Sequence, residues 1–165
     1  MATGSGMNAA ALIIGVLVAG VVIIAIIGIL AAIAIPNLLT AMQRSRQKRT
    51  MADIRTIASA LEAYGTDHHE LKEYPSGTTV QDLRSHLQPT YVSGLPVIDG
   101  WTTEIRYMRL PERGYVIVSA GADKKFQAEP DQYRKGTTGH FDCDIVYSNG
   151  EFLQYPEGLQ RGGGQ

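Results

Sequence analysis

Charge is what the first quarter of this 165-residue chain lacks. Residues 1–43 hold no charged side chain, and no acid occurs before Asp53. A soluble amphipathic helix needs a polar face toward water, so that stretch is not one. Cysteine is nearly absent too. The single Cys143 excludes an intrachain disulfide framework and a multi-cysteine zinc site. Fifteen Lys+Arg against sixteen Asp+Glu give a net charge of −1, so no overall basic field points to nucleic acid. No G-x-S-x-G or phosphate-loop pattern occurs, and the chain does not read as an enzyme. The near-zero total conceals segregation. From residue 50 onward there are eleven basic and sixteen acidic residues, a balance of −5. The chain is a neutral segment, a basic collar of Arg44, Arg46, Lys48 and Arg49, and a mildly acidic head.

What the first part does contain is a run of 28 aliphatic, Gly or Pro residues from Ala9 to Pro36. As a helix it would extend roughly 42 Å, beyond the ~30 Å of a bilayer's hydrocarbon core. It exceeds the apolar stretch of a cleaved signal peptide, and no basic segment precedes it. Gly15, Ala19, Gly20 and Gly28 place small residues through it, which favours close helix–helix approach; a generic single-pass anchor is the other reading. Residues 1–8 read as a polar leader or a scar. The collar reads as headgroup contact or a solvated face, or as a set of partners for acids of a neighbouring subunit.

Past Pro36, an expected kink because proline lacks an amide donor, the pattern becomes amphipathic. Met51, Ile54, Ile57, Ala58, Leu61 and Tyr64 form one helical stripe, and Gly65 is the expected stop. The expected organisation is therefore an apolar helix over 9–36, its amphipathic continuation over 37–65, a globular head over 66–158 and a flexible tail over 159–165. Within the head, a short helix is expected from Thr78 or Thr79 to Leu87 and strands over Glu104–Leu110, Tyr115–Ser119, Asp144–Tyr147 and Glu151–Gln154. Pro111–Gly114 and Asn149-Gly150 supply the hairpin turns.

The stretch Ala25-Ile-Ile-Gly-Ile-Leu-Ala-Ala-Ile-Ala-Ile-Pro-Asn-Leu-Leu39 closely resembles the N-terminal helix of type IV pilins and type II secretion pseudopilins. Three head segments are similar to those of the major pseudopilin, in the same order: Tyr74-Pro75, Leu95-Pro-Val-Ile-Asp-Gly-Trp101 and Tyr115-Val-Ile-Val-Ser-Ala-Gly-Ala-Asp123. The resemblance implies a pilin-like α+β fold, in which a long N-terminal helix packs on a small antiparallel sheet. It also implies a homo-oligomeric helical filament built on the apolar helix, with Gly15, Ala19, Gly20, Gly28 and Pro36 in its core. Such a subunit sits in the inner membrane before assembly, works with secretion or pilus assembly machinery, and ends in a periplasmic or extracellular filament. Two departures stand out. The family's N-methylated Phe and the Glu four residues later fall at Gly15 and Ala19 here. Those departures keep a second function open: a monomeric, single-pass membrane-anchored protein with a small partner-binding head.

The acidic loop is the candidate site. Asp142 and Asp144 would share one face of a strand, and Asp123 would bring a third carboxylate. Three carboxylates with backbone carbonyls suit Ca²⁺, and the resemblance implies a structural calcium in this loop, with Glu129 and Asp131 as substitutes. The plain alternative is solvated loop acids. Cys143 between two acids is a poor nucleophile, and His68, His69, His86 and His140 lack zinc spacing.

Overall fold

The computed structural model describes residues 4–68, 74–111 and 114–161. The chain divides into two compact units, Met1–Ala41 and Met42–Gln165. Helix α1, Gly4–Asp67, contributes to both and contains Pro36. In the first unit its aliphatic side chains are uncovered, for example Leu12 at 71% and Ile24 at 71% exposure. Thr40 Oγ1 donates back to the Pro36 carbonyl at 3.0 Å. The side chain of Gln43, just past the division at Ala41/Met42, bonds to the head.

In the second unit the expected stripe is the buried one: Ile54, Ile57, Ala58 and Leu61 are at most 1% exposed. Gly65 does not end the helix. A Cβ there would lie 3.0 Å from the Tyr74 ring, so glycine serves close approach and α1 continues to Asp67. A short 3-10 turn, Val80–Leu83, runs into α2, Arg84–Leu87. The Asp82 carboxylate accepts the Thr78 and Thr79 amides, each at 2.9 Å, which satisfies donors that open the turn. Val80, Leu83 and Leu87 enter the core.

Five strands follow: β1 Arg106–Leu110, β2 Gly114–Ser119, β3 Gly136–His140, β4 Ile145–Ser148 and β5 Glu151–Arg161. Their order is β1-β2-β4-β5-β3. The Leu110↔Gly114 and Ser148↔Glu151 pairings confirm both expected hairpins. Asn149 and Gly150 have φ of 46° and 94°, as a two-residue primed turn requires. The sheet is not purely antiparallel as expected, because β3 pairs parallel with β5. β3 reads Gly-Thr-Thr-Gly-His and is largely exposed, so it has no apolar alternation to reveal it. β5 also runs past Gln154 to Arg161, into the stretch that the sequence reads as a flexible tail from 159. Gln160 is only 6% exposed and donates to the Thr138 carbonyl at 2.7 Å. Residues 162–165 lie outside the described ones.

Every residue of β2 is buried because both faces of the sheet are covered. One face packs Tyr107, Tyr115, Ile117, Ile145 and Tyr147 against α1 and α2. On the other, Val116, Val118 and Val146 meet Tyr133, Phe126 and Ala128 from the segment between β2 and β3. That segment reads in the sequence as a polar loop, and in the structure it is a second layer.

Candidate functional site

The apolar half of α1 is the first candidate surface. Among the described residues it is the one helix long and apolar enough to cross a membrane. Nothing lies within 4 Å of a Cβ built on Gly15, Gly20 or Gly28, so each is an open notch in an aliphatic surface. Gly15 with Ala19, and Gly28 with Ala32, stand four apart and so share a helix face. At ~100° per residue the two pairs point about 220° apart around the helix. Small residues therefore face more than one side of the helix.

The second candidate is the aspartate loop. Asp123 is exposed, and its Oδ1 accepts the Lys125 amide at 2.9 Å. Asp142 is half-buried in a turn and β4 begins only at Ile145, so the strand alternation expected to align Asp142 with Asp144 does not operate. Asp144 is fully buried. Its Oδ2 accepts the Gln127 amide at 2.8 Å and the Tyr133 hydroxyl, while its Oδ1 is buried with no hydrogen-bond partner. Burial pushes the Asp144 carboxyl above its ordinary range, against the bonds from Tyr133 and Gln127, and Asp123 adds to the rise. Burial and then the Asp144 contact push the Tyr133 phenol up in turn.

Gly121, at φ 68°, lets the chain pass this point. A Cβ there would sit 2.6 Å from the Cys143 carbonyl and 2.9 Å from that of Phe141. Asp144 and Asp123 are thus brought into electrostatic contact, but no three His, Cys, Asp or Glu side chains gather into a ligand set among the described residues. Glu129 and Asp131 are exposed away from Asp144's bonds. Tyr133 and Gln127 were missed by sequence reasoning. An aromatic inside an otherwise polar loop was the available signal for Tyr133. Of the histidines, His68 stacks on Tyr64 at 4.0 Å and His86 meets the same ring edge-on, which are packing roles; His69 lies outside the described residues. Cys143 is a half-buried free thiol.

The segment Leu95–Trp101 clamps the head to α1. Asp99, 2% exposed, accepts the amides of Trp101 and Thr103 at 2.9 and 2.8 Å and the Ser119 hydroxyl at 2.7 Å. Gly100 N–H donates to Thr50 Oγ1 at 2.9 Å, and Trp101 Nε1 donates to Gln43 Oε1 at 2.6 Å. The Tyr74-Pro75 pair anchors the opposite side. Tyr107 donates its hydroxyl to the Pro75 carbonyl at 2.8 Å, and Tyr74 packs edge-on against Tyr115. The three head segments that carried the resemblance are therefore the helix clamp, the aromatic anchor and the strand leading to the aspartate loop.

Comparison with known proteins agrees. The family described as type II secretion system (T2SS), protein G matches residues 37–135. The type II secretion system core protein G of Escherichia coli K12 is 32% identical over 124 residues, covering 67% of this chain and 81% of that protein. The protein of the same name from Vibrio cholerae is 27% identical over 110 residues, covering 62% of this chain and 75% of its own length. No solved structure matches. With an anchor-length apolar helix, a helix-clamped α+β head and these relatives, the chain belongs to the type II secretion system protein G family, the pseudopilins.

Proposed function

We propose that the chain is a structural, non-enzymatic subunit of a pilus-like filament, held in the inner membrane by the apolar half of α1 before assembly and packed through it afterwards. The observation that carries this reading is the uncovered apolar helix, with aliphatic residues such as Leu12 and Val16 more than 70% exposed. Such a surface requires either lipid or other helices around it. Notches on two sides suit a helix surrounded by copies of itself. In lipid, association gains nothing from the hydrophobic effect and relies on close packing, which Gly15, Gly20 and Gly28 permit. Growth of such a filament at its base would push material outward, so the mechanism is mechanical. Fractionation tests it: the chain should resist alkaline extraction from membranes and also enter a sheared filament fraction when the assembly machinery is present. Recovery in membranes alone would replace it with the monomeric anchored protein.

The aspartate loop carries a separate proposal, a structural Ca²⁺ held by Asp144 and Asp123, with Asp142 drawn in on binding. The unpartnered, buried Oδ1 of Asp144 supports it, since a cation would satisfy that acceptor. Calcium should raise the melting temperature of the chain, and Asp142→Ala with Asp144→Ala should remove the response. Equal melting of the unmodified chain in calcium and in chelator rejects the site.

A further inference from the structure

We propose that a groove on the head receives a basic collar side chain of a second copy, a contact that rests on the filament reading and gives it its register. The groove is about 580 Å³, open to solvent, and lies between β1 and the Phe126–Pro130 segment. Its walls are of two kinds. The half-buried Met108 and Phe126 supply apolar surface, and the exposed Glu104 and Glu129 supply carboxylates. Neither carboxylate has an ion-pair partner among the described residues. Arg106 also reaches the groove, but its guanidinium lies 3.8 Å over the Phe126 ring, parked on the aromatic face. Asp82 adds charge behind the rim, its carboxyl held below the ordinary range by the Thr78 and Thr79 amides.

An open groove lined by both apolar and carboxylate side chains fits an occupant with an aliphatic stem and a cationic tip, that is, a lysine or arginine side chain. The chain carries such occupants in surplus. Arg44, Arg46 and Lys48 are exposed and form no ion pair among the described residues, whereas Arg49 is engaged with Asp53 at 3.5 Å. Each copy thus presents one cationic donor patch and one anionic acceptor at different places on its surface. A contact between unlike patches is heterologous, and when it does not close into a ring it propagates as a filament. Charge complementarity of this kind selects register and suppresses wrong docking.

Crosslinking in assembled filaments tests the contact. In a Cys143→Ser background, Glu129→Cys is paired with Arg44→Cys, Arg46→Cys or Lys48→Cys in the full chain. At least one pairing should give an oxidant-dependent ladder of dimers, trimers and larger species. Charge reversal gives a second readout. Glu104→Lys with Glu129→Lys should lower filament yield about tenfold, as should reversal of the three collar cations, and combining the two sets should restore it. These side chains are exposed, and an unchanged Trp101 unfolding curve verifies the fold of each variant. Unmodified chain that forms no filaments overturns the filament reading itself. Normal filaments with no ladder from any pairing, or with no effect of groove reversal, overturn the contact alone. Loss of binding to anionic vesicles on collar reversal, with filament yield unchanged, assigns the collar to lipid and likewise overturns it.

Discussion

Gly100→Ala should be disproportionately damaging for the addition of one methyl group. The glycine lies against the backbone of α1, where a Cβ would come 2.5 Å from the Arg46 carbonyl oxygen and 3.0 Å from its carbon. Backbone cannot rotate aside, so the clamp must lift. Lifting breaks the Gly100–Thr50 bond and the Trp101–Gln43 bond, at about 1 kcal/mol each. The steric clash adds about 1–3 kcal/mol. The sum is a loss of about 3–5 kcal/mol, or a fall of about 12–20 °C in melting temperature for a head of this size. Trp101 is the single tryptophan and is 3% exposed, so its fluorescence reports the clamp directly during urea unfolding of the full chain in detergent. Thr50→Ala, which orphans the same amide, should cost about 1–2 kcal/mol and combine with Gly100→Ala less than additively. Gly94→Ala is the control, since nothing lies within 4 Å of its Cβ position. A Gly100→Ala midpoint as close to wild type as that of Gly94→Ala would refute the clamp geometry.

Tyr133→Phe removes the hydroxyl that meets Asp144 and should destabilise the full chain by about 1–2 kcal/mol in chelator, measured by urea unfolding; no change would mean the second layer is held by packing alone. Asp53 has its carboxyl pushed up, mainly by burial, against the lowering effect of Arg49. A raised folded pKa supports folding fully below the ordinary aspartate value of 3.8 and loses that support as pH rises through the folded value. Asp53→Asn should therefore gain on the wild type as pH rises from 3.8 toward neutrality, and a pH-independent gap between their melting curves would contradict this. Ala19→Glu places a charge in a run that has none, at a cost of up to ~3 kcal/mol in the membrane. It should lower filament yield in sheared fractions, and a higher yield would show that the neutral helix lacks a partner charge.

The fold was legible where periodicity or turn chemistry is strong. The stripe from Ile54 to Leu61, the Pro111–Gly114 connection and Asn149-Gly150 each have a local physical cause, and each lies where expected. β3 was not legible, because a strand of glycine and threonine on the exposed edge of a sheet is held by its neighbour β5 and not by its own pattern. Gly65 illustrates the same limit. A glycine at a helix end reads as a stop, and only the arrival of Tyr74 reveals the other use. For the aspartate loop the sequence grouped Asp144 with Asp123 and Asp142 and did not set it apart. The burial, the Tyr133 contact and the unpartnered oxygen all come from a long-range fold of residues 126–133 across the sheet. The apolar run was the most legible feature of all, since 28 uncharged residues leave few environments to choose from.

The central claim is that this neutral helix is buried first in lipid and then among copies of itself. Immunogold electron microscopy of the sheared extracellular or periplasmic fraction, from cells expressing the chain with its secretion machinery, tests it most directly. The account requires thin filaments labelled along their length by antibody to the head. Unlabelled filaments, or none at all with the chain abundant in the membrane, would contradict it.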